Sequence, residues 1–147
     1  MKAKLILFAI SLTISGFIVA QSSNVQIMDI LVSPVTVIDT STNLPVQTNG
    51  ENLAILCKTN DLASVENVTI LFGTSENLGD IITVNAEIVE NNGTYYLSIG
   101  NEMQKLHENV ISATIELSQQ QLEAYNFITM YVIDNAEQQS NHLVFTK

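Results

Sequence analysis

The chain has 147 residues and a formal net charge of −10, because five lysines and no arginine stand against 15 acidic residues. This balance excludes nucleic-acid binding, which needs a cationic surface to displace counterions from phosphates. Without arginine the chain also lacks the planar fork that clamps phosphate or carboxylate with two hydrogen bonds. The length suits a single domain.

The N-terminus has the three parts of an export signal. Lys2 and Lys4 precede an apolar run over 5–19, and the small residue Ala20 stands before Gln21. The run is shorter than the roughly 20 residues of a membrane-spanning helix and is interrupted by hydroxyl side chains. We therefore predict a signal peptide at 1–20 and a secreted or periplasmic domain at 21–147, with no membrane span after cleavage. Cleavage after Ala20 would remove two of the five lysines and none of the acids, so the net charge of the mature chain would be −12 instead of −10.

The single cysteine predicts how the core is stabilised. Cys57 cannot form an internal disulfide, so apolar burial alone must hold the exported domain together. The absence of cystines, together with a simple signal, favours a bacterial source. Cys57 alternates with Leu53 and Ile55, which predicts a small buried hydrophobe rather than a nucleophile paired with His107 or His142.

Alternation with period two dominates the mature chain. Residues 111, 113, 115 and 117 are apolar and the residues between them are polar, as in a half-buried strand. The same period recurs at 53–57, 68–72, 82–88 and 95–99. Turn-forming residues separate these runs at Thr48-Asn-Gly50, at 73–75, at 78–80 and at 135–137, and Asn91-Asn-Gly93 is typical of a tight hairpin. Glu87 and Glu116 alternate with core positions, so the acids are expected to line the outer faces of the sheets.

The first and last mature segments are also β-prone. The run Val25 to Asp39 is broken by Ser33-Pro34, and since proline lacks the ladder donor, this strand should lie at an edge or change sheets there. The runs 127–134 and 141–146 predict a closing hairpin.

Helix is expected in two short places at most. Ser118 and Gln121 form a capping-box pattern that suits one or two turns, and 101–107 suits either a helical turn or a polar loop. The predicted fold class is therefore all-β, an antiparallel two-sheet sandwich of seven or eight strands, with a closed barrel as the alternative.

The C-terminal sequence resembles a known class of module. The stretch Ile128-Thr-Met-Tyr-Val-Ile-Asp-Asn-Ala136, followed by Ser140-Asn141 and a strand at 143–145, resembles the closing hairpin of bacterial immunoglobulin-like and fibronectin type III-like modules. Glu137-Gln138 stands where those modules commonly have Gly-Asn. The resemblance implies an immunoglobulin-like sandwich that serves as a spacer, an adhesion unit or a binding domain. It also implies that Cys57 lies on the second strand, where many such domains carry half of a disulfide.

No catalytic motif is present. The chain lacks a Gly-x-Ser-x-Gly elbow, a phosphate loop, a His-Glu-x-x-His pair and a Cys-x-x-Cys pair. His107 and His142 stand alone in polar segments, which does not favour a zinc site. Paired carboxylates are expected by coincidence among 15 acids, and tryptophan for sugar stacking is absent. We expect no enzyme activity and no cofactor.

Calcium is the one ion that the sequence suggests. Asp134, Asn135 and Glu137 place oxygen donors in one turn, to which Asp61 or Asp80 could add more. The favoured interpretation is that these are ordinary turn residues, so no metal site is predicted.

Two functional hypotheses follow. The first is a non-catalytic interaction or structural module that binds a protein or a cell-surface polymer through loops or through a strand edge in Val25 to Asp39. The alternative is a carbohydrate-binding module, with or without the help of calcium, that would use Tyr96, Tyr125 or Tyr131 for stacking. Phe72, Tyr95 and one of Phe127 and Tyr131 are expected to fill the core.

Overall fold

The structure, a computed structural model, describes residues 23–47 and 50–147. The predicted signal peptide at 1–20 lies outside the described residues, as do the first two positions of the predicted turn Thr48-Asn-Gly50. Within the described ranges the chain forms strands β1 (Ile27–Val35), β2 (Ile38–Asp39), β3 (Leu44–Pro45), β4 (Gly50–Thr59), β5 (Val65–Gly73), β6 (Ile82–Asn91), β7 (Thr94–Ile99), β8 (Glu102–Lys105), β9 (Val110–Ser118), β10 (Phe127–Asp134) and β11 (Leu143–Thr146), and the helix α1 (Gln119–Ala124).

Two antiparallel sheets pack face to face. The smaller sheet has the order β1-β4-β9, and the larger has the order β11-β10-β5-β6-β7-β8. The chain passes from the small sheet to the large one twice, through a 3-10 turn at Leu62–Ser64 and through α1. The predicted all-β, antiparallel two-sheet sandwich is therefore confirmed.

The number of strands is higher than the seven or eight predicted. Residues 36–39 were expected to belong to the β-prone run from Val25 to Asp39, but they begin the small hairpin β2–β3. Residues 102–105 were expected to be a helical turn or a polar loop, but they form β8. Gly100 adopts a φ of +59°, which reverses the chain and lets β8 pair with β7.

The core lies between the sheets and follows the predicted alternation. Val68, Ile70 and Phe72 on β5 are completely buried, and the small sheet meets them with residues such as Ile55 and Ile111. Cys57 is buried too, as predicted. Apolar burial of this extent is the main stabilising contribution to a domain that has no disulfide.

One expectation about the aromatic residues was wrong. Phe72 is buried and Tyr95 packs against the core, but Phe127 and Tyr131 lie on the outer face of the large sheet. The register of β10 decides this, because Ile128, Met130 and Val132 point inward and the odd-numbered residues must point outward. The remaining core volume is filled by Tyr125 and Phe145 instead.

The local signals that were read as turns and caps are present in the structure. Asn92 and Gly93 both have positive φ, as the tight hairpin turn between β6 and β7 requires. Ser118 and Gln121 cap α1 reciprocally: the Gln121 N–H donates to the Ser118 hydroxyl, and the Ser118 N–H donates to the Gln121 side chain. Pro34 lies in an edge strand, as predicted, and β1 runs through it without a break.

The segment before β1 is held by asparagine side chains. The Ile27 N–H donates to Asn141 Oδ1 at 2.9 Å, and the Asn141 amide donates to the Ile27 carbonyl at 2.8 Å. Asn60 makes the same two-point contact, accepting from the Gln26 N–H and donating to the Asn24 carbonyl. In this segment the two side-chain amides make the backbone hydrogen bonds that a neighbouring strand would otherwise make.

A buried carboxylate completes this attachment. Asp134 Oδ2 accepts from the Ser23 hydroxyl at 2.6 Å, and Oδ1 accepts from the N–H groups of Ala136 and Gln138 at 2.9 Å each. These hydrogen bonds, that of Ser23 first, hold the pKa of Asp134 below its usual range. The same carboxylate therefore fixes the segment before β1 and the turn after β10.

We predict that Asn141→Ala destabilises the domain by about 1–2 kcal/mol, because it leaves the N–H and C=O of Ile27 without their partner. Urea unfolding monitored by circular dichroism measures the change. The control is Asn101→Ala, in an exposed turn, which should change stability by less than about 0.5 kcal/mol. Equal effects of the two substitutions would contradict the proposed role of Asn141.

We also predict how stability depends on pH. Because the folded-state pKa of Asp134 is lowered, its contribution is fully present above the unfolded value of about 4 and is lost as the pH falls through the lower folded value. Asp134→Asn should therefore lower the melting temperature at neutral pH and reduce the loss of melting temperature between about pH 5 and pH 2. If the plots of melting temperature against pH stay parallel for the two proteins over this range, the prediction is refuted. Asp39 and Asp80, whose pKa values are also lowered by hydrogen bonds, keep the variant from losing all acid sensitivity.

Candidate binding surface

Residues 36–47, which we call the arm, project between β1 and β4 as a self-contained hairpin. The Val46 N–H donates to the Val37 carbonyl at 2.8 Å, and the Asn43 N–H donates to the Asp39 carbonyl at 2.7 Å. Asp39 Oδ1 accepts from both the N–H and the hydroxyl of Ser41, which lowers the pKa of Asp39. Asn43, with a φ of 58°, turns the chain back. These hydrogen bonds hold the hairpin of the arm together from within.

Apolar side chains are exposed together on the arm and on the adjoining part of β1. Ile30 and Val32 of β1 pack against the core, so alternation turns their neighbours outward. We call the exposed group the arm surface; its members are Leu31 (61 % exposed), Val35 (36 %), Ile38 (45 %), Leu44 (63 %) and Val46 (44 %). Single exposed apolar residues are ordinary, but a group of this kind marks an interaction site or an aggregation hazard.

Two concave places lie beside members of the arm surface. A groove of about 270 Å³ lies where the arm leaves the sheet, between Val35 and Val46 and the start of β4 at Glu51 and Asn52. A smaller hollow of about 170 Å³ lies beside Leu31 on the outer face of the small sheet. Concave places beside exposed apolar side chains are suited to receiving side chains from a partner.

The backbone edge of β1 is poorly suited to strand addition. Its first residue, Ile27, is already bonded to Asn141. The direction of the backbone groups further along β1 follows from the pairing of β4. The Thr59 N–H donates to the Asn109 carbonyl, so the odd-numbered residues of β4 make their backbone hydrogen bonds to β9 and not to β1. Pro34 lies opposite the odd-numbered Leu53 and therefore turns its nitrogen, which carries no hydrogen, to the open side. Both ends of the edge are blunted in ways that natural proteins use against strand pairing.

The tyrosines that were predicted as a sugar platform are not brought together. Tyr125 is buried, its ring and that of Phe72 are nearly perpendicular with centroids 5.5 Å apart, and the Lys147 ammonium lies 4.5 Å from the Tyr125 ring centroid. The prediction for Tyr125 was therefore wrong, because this residue fills the corner between α1 and β10. Tyr96, on β7, is separated from Tyr131, on β10, by two intervening strands.

Tyr131 is instead part of a polar cluster on the outer face of the large sheet. The His142 imidazole stacks on its ring with centroids 4.8 Å apart and an angle of 17°. The His142 Nδ1 lies 2.5 Å from Asn77 Oδ1, and its Nε2 lies 2.7 Å from the Gln139 amide nitrogen. One face of Tyr131 is thus occupied by a histidine that is itself held on both sides.

The carboxylates that suggested calcium are engaged within their own loops. Asp134 accepts the three bonds described above, Asp61 accepts from the Ser64 hydroxyl at 2.5 Å, and Asp80 accepts from the N–H and hydroxyl of Thr74. Among residues 23–47 and 50–147, no group of three or more His, Cys, Asp or Glu side chains is arranged to hold a metal ion. These residues stabilise turns, which was the favoured interpretation of the sequence.

Cys57 is placed as a core residue. Its side chain is 1 % exposed, and burial, with the charge of Asp29 as a second cause, raises the pKa of the thiol to about 12. A thiol in this state is a poor nucleophile at neutral pH.

We predict that Cys57 does not react with a thiol-specific reagent such as iodoacetamide at pH 8 in the folded protein, and reacts fully in denaturant. Mass spectrometry of the intact protein measures the added mass. Rapid labelling of the folded chain would show that the site opens readily and that the thiol is not buried in solution.

Comparison with known proteins gave no match, either to protein-family models, to curated sequences or to solved structures. Within the part of the chain that the structure describes, there is no helix with the length and apolar character needed to cross a bilayer.

Sequence reasoning missed the arm. The composition of the run Val25 to Asp39 predicts one β-prone segment, although its first part is buried and its last part begins a separate hairpin. The turn residues Thr40-Ser-Thr-Asn43 after Asp39 were the available signal, because Asp and Asn favour tight reversals through side-chain bonds and left-handed backbone.

Proposed function

We propose that this chain is a secreted or periplasmic, non-catalytic, immunoglobulin-like module that binds a protein partner through the arm surface. The observation that carries the proposal is a set of five exposed apolar side chains on the arm and the adjoining β1, two of which, Val35 and Val46, line a groove beside a hairpin held by its own hydrogen bonds. Leu31 and Leu44 are each more than half exposed, and a partner that covered them would remove this apolar surface from water.

The strand order supports the immunoglobulin-like part of the proposal. In that fold the first, second, fourth and fifth strands form one sheet, and the third, sixth and seventh form the other. Here β1, β4 and β9 correspond to the first, second and fifth strands, and β5, β10 and β11 to the third, sixth and seventh. The strand before β9, β8, pairs with β7 in the larger sheet, so the fourth strand is not in the small sheet. Strands β6 and β7 extend the larger sheet, as the extra strands of variable-type domains do.

The geometry favours binding through side chains rather than by strand addition. Asn141 and Pro34 interrupt the free edge of β1, whereas the arm surface lies open beside it. A carbohydrate site has less support, because Tyr125 is buried and His142 covers one face of Tyr131.

Site-specific photocrosslinking in the native host tests the proposal. A photoreactive residue at position 44 should give a defined protein adduct, whereas one at position 103, where Met103 is comparably exposed on β8, should give none. The adduct at position 44 should be lost when Ile38→Ser and Val46→Ser are combined. We expect the paired substitutions to leave the melting temperature within a few degrees, since both side chains are partly exposed.

Leu78→Ser is the matched control, because Leu78 is 44 % exposed on a loop that covers the other sheet. This variant should keep the adduct. Equal adducts at positions 44 and 103, or an adduct that survives the paired substitutions, would refute the arm surface as the binding site. A glycan array serves the alternative: a sugar signal that Tyr131→Ala abolishes would replace this proposal by carbohydrate binding.

A further inference from the structure

The charges around the arm surface are arranged unequally. Asp39 lies opposite Leu44 within the arm, and Glu116 lies on the outward face of β9 in the row of Val35 and Asn52. At the other end, Asp29 and Lys58 are directly opposite one another on β1 and β4. The described residues from 23 to 57 contain no cation at all. The arm surface is thus an apolar centre with a rim whose uncompensated charges are acidic.

From this arrangement we infer that the occupant of the arm surface is a basic protein segment, in which apolar side chains are flanked by lysine or arginine. The inference rests on the proposed function and names the chemistry of its partner. Protein interfaces commonly combine an apolar centre with a polar rim, and complementary charge on the rims steers the encounter. The apolar side chains would enter the groove beside Val35 and Val46, and the cations would lie against Asp39 and Glu116.

The charge of the whole chain argues against two other occupants. A second copy would bring together two domains that carry −12 each after removal of 1–20, and their repulsion weakens association at low salt. An anionic cell-surface polymer meets the same repulsion. A cationic segment is the occupant for which the long-range field is attractive.

Two matched peptides test the inference. In one, leucine alternates with lysine; in the other, leucine alternates with glutamate. Titration of each into the ¹⁵N-labelled full mature domain, followed by amide chemical shifts, locates binding and measures affinity. We expect the leucine–lysine peptide to shift amides of the arm and of β1, with an affinity that falls about tenfold between low salt and 0.5 M salt. The leucine–glutamate peptide should not bind.

Substitutions at the rim separate charge from apolar contact. Asp39→Asn, which keeps an acceptor for Ser41, and Glu116→Gln should each weaken binding of the leucine–lysine peptide by roughly two- to fivefold. Glu87→Gln is the control, because Glu87 is exposed on the outer face of the other sheet and should leave the affinity unchanged. An equal loss with Glu87→Gln would mean that only the net charge matters, and it would overturn the assignment to this rim.

The remaining outcomes are also decisive. Binding of both peptides with equal affinity at the arm would overturn the charge inference but leave the proposed function standing. No binding of either peptide, or shifts confined to the large sheet, would overturn the inference, while the crosslinking at position 44 judges the proposed function separately. Sedimentation that shows a dimer whose affinity rises with salt and is lost in the Ile38→Ser/Val46→Ser variant would identify a second copy as the occupant.

Discussion

The backbone around residues 23–27 is held in place by side chains, and the position of β1 depends on that attachment. Asn60 and Asn141 each bond to a donor and an acceptor of this segment, and Asp134 accepts from Ser23. Because Val25 and Ile27 are almost completely buried, their backbone groups would be costly to leave without partners. The chain has no disulfide to do this work, since Cys57 is a lone buried thiol. At this edge, hydrogen bonds from the amide side chains of Asn60 and Asn141 therefore hold the backbone in place of a disulfide.

This attachment also determines where the arm lies. After Ile27 the register against β4 shifts by one residue before Asp29, and this irregularity turns Ile30 and Val32 into the core and leaves Leu31 and Val35 exposed. A slip of one residue would reverse both sets and bury Asp29. The arm begins directly after Val35, so its groove is formed against the same register. The exposed apolar group is therefore a consequence of a strongly specified strand and not of a loosely packed one.

Sequence patterns predicted the sheets well because their information is local. Period-two alternation located β4, β5, β6, β7 and β9, and turn chemistry located the hairpin at Asn92-Gly93 and the cap at Ser118. The position of Tyr125 was not predictable in this way. It depends on how α1 and the last residue, Lys147, close over the corner beside Phe72, which is a contact between distant parts of the chain. The same reason applies to Asp134, which was read as a surface turn residue although it bonds to Ser23, 111 positions away.

The arm itself was hidden for a different reason. Its strands have two residues each, which is too short for alternation to be detected, and its apolar residues resemble a continuation of β1. The apolar residues of the arm differ from those of β1 that pack on the core in being exposed, and exposure cannot be inferred directly from the sequence. The edge of β1 also bears on the mode of binding. Pro34 and Asn141 oppose backbone pairing with another strand there, whereas the exposed side chains beside it remain free to make contacts. A surface that combines a protected edge with uncovered leucines is suited to a specific partner, since unselective edge-to-edge aggregation is opposed while the apolar contact is preserved.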